Sequence, residues 1–235
     1  MVMFVDNRAL VMPGDLIADG NYRASDGTFQ EKERIYASVL GLVDISPNQV
    51  IRVIPFAGKY MPRVNDVLIG KVVDLRFIIW IIDINAPYLA ELHANEVLDR
   101  KVNLADFDLR RFYGIGDLLL AKVIEIDETK NIRLTTKAPG LGKLIGGRLA
   151  KVSPVKVPRV IGRGGSMIKL LKDETKCDVL VSPNGRIWIK GKDSDLENLA
   201  VRAILKIEQE AHITGLTDRI KEMLQKERGV KIWVK

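Results

Sequence analysis

The sequence predicts a multidomain chain, β-rich first and α+β at its end, and three observations carry that prediction. Turn signals cut residues 1–137 into short runs rich in β-branched residues, the punctuation of small β domains. A stretch dense in glycine, residues 138–147, then interrupts the pattern and reads as a linker across which few contacts need pass. Beyond it, helix and strand signals alternate around Val160-Ile161-Gly162-Arg163-Gly164-Gly165-Ser166-Met167-Ile168.

Residues 1–63 form the first predicted domain, a small β domain. Pro13-Gly14-Asp15, Asp26-Gly27 and Ser46-Pro47-Asn48 are its turns, and Ala37 to Ile45 is expected to pair with Val50 to Ile54 as a hairpin. Its charges balance at seven of each sign and no catalytic grouping stands out, which suits packing against a neighbour or another subunit.

Residues 64–137 have the rhythm of a five-stranded barrel, with strand candidates Val67–Leu75, Phe77–Ile84, Tyr88–Leu92, Leu118–Ile126 and Asn131–Thr135. The span from Asn95 to Gly116 is the one long connection. This is the order of an OB-fold, which lays single-stranded nucleic acid on one face.

The third domain spans 148–212. Leu149–Val152 reads as a strand and Pro154–Val160 as a short helix with proline in its first turn. After the glycine turn, Ser166 stands where an N-cap is expected, and Ile168, Leu171 and Thr175 fall on one helical face. Cys177–Val181 and Arg186–Lys190 are strands joined by Ser182-Pro183-Asn184-Gly185, in which Asn-Gly is a strong hairpin signal. Ser194-Asp195-Leu196-Glu197 reads as a capping box opening a helix. Residues 213–235 are expected to add a helix, Thr217 to Lys226, and a strand-like tail from Val230 to Val234.

The formal net charge is +7, and its distribution is uneven. Residues 146–176 hold eight basic residues against two acidic ones, whereas residues 1–145 hold 18 against 19. A surplus of six centred on a glycine turn is the footprint of a polyanion partner. Glycines at 162 and 165 let a phosphate backbone come close, because no Cβ intervenes. The free N–H groups of the following helix and the Arg163 charge add positive potential at the same spot. The turn therefore reads as a clamp for a nucleic-acid backbone. Replacing both Gly162 and Gly165 with Asp is expected to weaken binding and leave the fold intact.

Other chemistries find little support. A dinucleotide fingerprint beginning at Gly162 needs glycine where Met167 stands, and no Gly-Lys pair is followed by Ser or Thr as a phosphate-binding loop requires. Asp106 and Asp108 are the one tight acidic pair in the long connection, and nothing completes a two-metal carboxylate set. His93 and His212 lack metal-like spacing, and the lone Cys177 reads as a small buried hydrophobe. No catalytic residue, metal or cofactor is expected. The apolar run Phe77 to Ile82 is too short to span a bilayer, and no signal-peptide pattern opens the chain, so a cytoplasmic location and no membrane partner are expected.

Two families of RNA-binding domain share these patterns. Gly70-Lys71-Val72, Leu92-His93-Ala94-Asn95, Gly116-Asp117 with Ala121-Lys122-Val123, and Ile126-Asp127 followed by Ile132-Arg133-Leu134-Thr135 resemble an S1 domain. That resemblance implies an RNA face built from Phe77, Trp80, His93, Lys122 and Arg133; a core or subunit-contact position for Trp80 and a capped-loop role for His93 are the alternatives. The order β-α-(Gly-x-x-Gly)-α-β-β-α resembles a type I KH domain. It implies a groove in which Ile161, Gly162, Arg163, Gly164, Gly165, Ile168 and Lys169 hold about four nucleotides, phosphates on the loop and bases on the isoleucines.

A neutral β domain, an S1 domain and one KH domain, over roughly residues 1 to 210, resemble the RNA-binding cap subunits of the archaeal exosome. The resemblance implies a non-catalytic role. Three copies would sit on a hexameric ring of RNase PH-like subunits and guide single-stranded RNA, 3′ end first, into its channel for 3′-to-5′ degradation. The N-terminal domain would be the docking surface. An S1/KH elongation or translation factor is the alternative; the bacterial one carries two KH domains, and one such glycine turn occurs here. Polynucleotide phosphorylase places KH before S1, the reverse of the order here.

Overall fold

The computed structural model describes residues 2–97, 109–211, 213 and 215–232, with the backbone alone at 109 and 228–232. Asp106, Asp108 and His212 lie outside the described residues. The chain divides into two compact units, Met1–Gly58 and Lys59–Lys235.

The first unit is all β: β1 (Val2–Met3), β2 (Leu10–Val11), β3 (Leu16–Asp19), β4 (Arg23–Ala24), β5 (Thr28–Glu31), β6 (Arg34–Ala37), β7 (Gly41–Ile45) and β8 (Val50–Pro55). They form two four-stranded sheets, β1-β3-β6-β5 and β2-β7-β8-β4. The expected hairpin exists as β7 and β8, with Val43 opposite Val53 and Ile45 opposite Ile51. The run from Ala37 to Ile45 is not one strand: Ala37 ends β6 in one sheet and Gly41 opens β7 in the other. Val11, Ile17, Ile35, Val43, Ile51 and Val53 fill the space between them.

The second unit begins before residue 64. Tyr60 packs in the barrel core and its hydroxyl donates to the Asp66 carboxylate, so the chain from Lys59 belongs with the barrel. Five strands close that barrel: β9 (Val67–Arg76), β10 (Ile79–Asp83), β11 (Leu89–His93), β12 (Leu118–Ile126) and β13 (Ile132–Thr135). The order is β13-β11-β10-β9-β12, and β12 pairs back onto β13. Alternation, interrupted by bulges at Ile81/Ile82 and between Val123 and Glu125, sends Leu68, Val72, Trp80, Ile82, Leu92, Leu119, Val123 and Leu134 inward. A sixth strand, β14 (Gly142–Leu144), pairs with the start of β12, and Lys143 forms an ion pair with Asp117. The expected linker is therefore partly barrel, because its Gly-Lys-Leu can extend along an open strand edge.

The last part has the order expected: β15 (Arg148–Lys151), α1 (Val157–Ile161), α2 (Ser166–Thr175), β16 (Asp178–Val181), β17 (Arg186–Lys190) and α3 (Ser194–Gln209), then α4 (Leu216–Ile232). The sheet runs β15-β17-β16, antiparallel throughout. Ala150, Val160, Leu171, Ile187, Ile189 and Ile204 centre its core, and α4 adds Leu216, Ile220 and Leu224 at helical spacing.

Three local expectations change. The N-cap of α3 is Asp193, whose carboxylate accepts from the Asp195 amide at 3.0 Å, while Glu197 reaches back to the Gly191 amide at 3.0 Å. The capping pattern is thus one residue earlier, with aspartate in place of Ser194. The tail from Val230 to Ile232 continues α4 as helix, since extending a formed helix is far cheaper than nucleating new structure; Trp233 and Val234 lie outside the described residues.

The third change concerns the seam between the barrel and the last part, where a buried polar network replaces the sparse contact expected of a linker. Asn184 Nδ2 donates to the Ile69 and Ile84 carbonyls at 2.9 and 2.7 Å, and Asn85 Nδ2 donates to the Asn184 carbonyl at 2.7 Å. The Arg186 side chain, 1% exposed, donates to the Ile69 and Asp83 carbonyls and pairs with the Asp83 carboxylate at 2.5 Å. Burial alone would raise the Asp83 pKa. The Asn85 amide and the Arg186 charge and hydrogen bond outweigh burial and hold it below its ordinary value.

Candidate nucleic-acid interface

The glycine loop joins α1 to α2 with three positive-φ residues in four. Gly162 has φ 75° and ψ 167°, a region essentially reserved for glycine, and Gly164 and Gly165 lie in the left-handed helical region at φ 61° and 80°. The glycines are not equivalent. A Cβ on Gly162 would stand 2.6 Å from the Met167 amide nitrogen, whereas Cβ atoms on Gly164 or Gly165 would meet nothing within 4 Å. Gly162 therefore closes the turn against the start of α2, and the other two leave its outer face open. The expectation that Asp at 162 spares the fold is overturned by that contact.

Ser166 is the first residue of α2 and not its N-cap. Gly165 holds that place, so no side chain caps the helix; the Gly165 and Ser166 amides donate to the Gly162 and Arg163 carbonyls, and the positive end of the helix faces the open side of the loop. The exposed side chains of Arg163 and Lys169 flank this opening, and neither forms an ion pair among the described residues. The buried stripe of α2 is Met167, Leu171 and Thr175. Ile168, expected on that stripe, is only half-buried, and Ile161 is 37% exposed at the other side of the loop. Both isoleucines thus present apolar surface beside the open backbone, while α2 packs along β16 at the sheet edge.

On the barrel the register sorts the remaining candidates. Trp80 is fully buried, its indole N–H donating to the Tyr113 carbonyl at 2.9 Å and its ring meeting the Tyr113 ring edge-on at 5.4 Å. It is a core residue and cannot stack on a base. Phe77 is the opposite case: 87% exposed, at φ 36° in the turn between β9 and β10. His93 pairs with Ile79 and Arg133 with Glu91, which places both on the outer face. The His93 Nε2 lies 3.4 Å from Glu91, and Arg133 Nη1 bonds Glu125 at 2.7 Å. Lys122, opposite Thr135 and Val67, is partly exposed on the same barrel.

Sequence reasoning missed the groove that crosses this face, a cavity of about 350 Å³ walled by Arg76, Ile81, Tyr88, Leu89, Lys130 and Asn131. Parity would have found Ile81: with Trp80 inside, its neighbour must face out. The structure thus assembles Ile161 to Lys169 at one site, and His93, Arg133 and Ile81 at a second, with Phe77 at its edge and Trp80 excluded.

Comparison with known proteins places all three parts. Residues 8–57 match the model of the exosome RNA binding protein RRP4 N-terminal domain, residues 59–125 the RRP4 S1 domain, and residues 147–195 the KH domain. The exosome complex component Rrp4 of Pyrococcus horikoshii is 51% identical, over 97% of this chain and 89% of its own. That of Methanothermus fervidus is 50% identical over 95% and 98%, and that of Methanopyrus kandleri 44% over 95% and 96%. A crystal structure of a candidate exosome complex RNA-binding protein superposes with a TM-score of 0.71 at 40% identity, covering 74% of this chain and 99% of that one.

Proposed function

The chain belongs to the Rrp4 family of exosome complex components, and on that premise we propose that it captures single-stranded RNA for an exosome and carries out no chemistry itself. One observation carries the reading. The backbone of Gly164 and Gly165 is open, lies at a helix start with no side-chain cap, and is flanked by Arg163 and Lys169, which form no ion pair among the described residues. A phosphodiester fits such a place, with its oxygens against the bare glycine backbone at the positive end of the helix and its charge balanced by the cations. Ile161 and Ile168 supply apolar shelves for the adjoining bases. Binding of this kind reads the backbone more than the bases, which suits a machine that degrades many RNAs.

From the loop the strand would pass to the outer face of the barrel, with Phe77 as a stacking platform and His93, Lys122 and Arg133 beside it. The 3′ end would then enter a hexameric ring of RNase PH-like subunits, where phosphorolysis belongs, with three copies of this chain on the ring, in the cytoplasm. The N-terminal unit, with five basic and seven acidic residues and exposed Phe4, Leu10, Met12, Phe29, Leu40 and Phe56, is the surface suited to docking there. The names of the relatives favour this assembly over an elongation or translation factor.

The test replaces Arg163 and Gly164 with Asp, two positions where a side chain has room. Affinity for a labelled oligoadenylate, read by fluorescence anisotropy, is expected to fall at least tenfold while the circular dichroism spectrum is retained. Unchanged affinity overturns the clamp. The native mass of the complex formed with RNase PH-like subunits tests the assembly and its three copies.

A further inference from the structure

On the barrel's outer face Arg76, His93 and Arg133 each stand against a carboxylate of the same face. The row can be followed strand to strand by register: Glu125 on β12 is the Cα partner of Arg133 on β13, Arg133 of Glu91 on β11, Glu91 of Ile81 on β10, and Ile81 of Asp74 on β9. Along it Arg133 bonds Glu125 at 2.7 Å, His93 lies 3.4 Å from Glu91, and Arg76 bonds Asp74 at 3.2 Å. Arg133 therefore stands between two acids, one bonded and one in register beside it. The whole segment 64–137 carries 12 acidic against 10 basic residues.

We propose that Glu91 and Glu125, with Asp74, are built-in competitors for RNA phosphate, so that this face carries a strand loosely while the glycine loop grips it. The inference rests on the RNA-binding reading above and adds the residues that set how tightly the barrel holds. To reach the Arg133 guanidinium, a phosphate must displace the Glu125 carboxylate and approach Glu91, a like charge across one strand spacing. The gain from each phosphate contact is then a difference between two nearly equal ion pairs. Stacking and apolar contact on the exposed Phe77, Tyr88 and Leu89 are untouched by this competition, so the bases are held while the phosphates slide. A strand anchored at one end and slack at the other can be drawn onward without releasing its anchor.

The experiment titrates the full chain with a labelled oligoadenylate at several salt concentrations. Glu91→Gln combined with Glu125→Gln is expected to raise affinity about three- to fivefold, the scale of exposed ion pairs, and to steepen the fall of affinity with salt by about one released counterion per freed cation. Glu33→Gln removes one acidic charge from the N-terminal unit and is expected to change neither quantity. Both barrel carboxylates are substantially exposed, so folding is expected to survive. A cycle with Arg133→Gln adds an independent reading: losing Arg133 is expected to cost little in the native chain and several times more once Glu125 is Gln. Unchanged or weakened binding in the carboxylate variants overturns the proposal, as does an equal rise from Glu33→Gln or an additive cycle. A chain that binds RNA through residues 162–169 yet ignores these variants fails this inference alone; a chain that binds no RNA fails both.

Discussion

The glycine loop and the barrel's outer face are both suited to a polyanion, and they are built on opposite electrostatic plans. Around the loop the cations stand free and the backbone is bare: Arg163 and Lys169 have no acidic partner among the described residues, and two glycines open onto nothing. On the barrel Arg76, His93 and Arg133 are each tied to a carboxylate and the backbone amides are spent in strand pairing. A free cation gains the full Coulomb interaction with a phosphate, whereas a paired one gains only the difference. Both plans lie within one compact unit, Lys59–Lys235, and on the proposed reading they divide holding from guiding.

That joining gives the largest expected effect. Arg186→Ala would remove a buried charged side chain together with its hydrogen bonds to the Ile69 and Asp83 carbonyls and its pairing with the Asp83 carboxylate, and losing one partner of such a buried set costs about 3–5 kcal/mol. Urea unfolding should read the loss. Oligonucleotides long enough to reach both surfaces should lose more affinity than ones confined to the loop. Equal losses for both lengths would mean that the two regions act independently.

Next comes the inequality among the glycines. Gly162→Ala forces a Cβ against the Met167 amide in a backbone region closed to other residues, and should cost about 2–3 kcal/mol. Gly165→Ala keeps a left-handed conformation with open space and should cost about 1 kcal/mol. Thermal unfolding of the two variants side by side checks the order; a reversed order would mean that Gly162 does not close the turn.

The sequence made the loop legible and the barrel face only partly so, for physical reasons. The loop's properties are local: glycines within four residues, a helix beginning at once, and cations one turn away. β12 and β17 were readable to the residue because alternating apolar runs between turn signals define their own ends. The face of Trp80 was not readable, because parity depends on register with strands far along the chain and one residue of slip exchanges inside for outside. The same holds for Asn184. In sequence it is half of a turn dipeptide; in the structure its amide reaches carbonyls about a hundred residues away, and only Gly185 of the pair has positive φ. The carboxylates opposite Arg133 were visible as residues but not as partners, since pairing across β11, β13 and β12 is decided by barrel closure.

Salt dependence sharpens the comparison with a smaller effect. Lys169→Gln removes a free cation and should lower the slope of log affinity against log salt by about one. Arg133→Gln removes a cation already answered by Glu125 and should lower it by much less. Two equal slopes would erase the distinction between the plans.

The smallest effect is a pH dependence at the seam. The folded pKa of Asp83 lies below its ordinary value, so the pairing with Arg186 stabilises the fold fully above that ordinary value, near pH 4, and is lost as pH falls through the lower folded value. The carboxylate is about one-third exposed, and solvent screening keeps this contribution under about 1 kcal/mol. Unfolding free energy should therefore drop slightly more steeply below pH 4 in the native chain than in Asp83→Asn, which has no proton to take up at this position. Among the described residues no carboxylate pairs with Arg163 or Lys169, so affinity of a short oligonucleotide confined to the loop should be equal in the two proteins across the same range. A short-oligonucleotide affinity that followed Asp83 would show the seam reaching into the loop, and would turn two regions with separate plans into one.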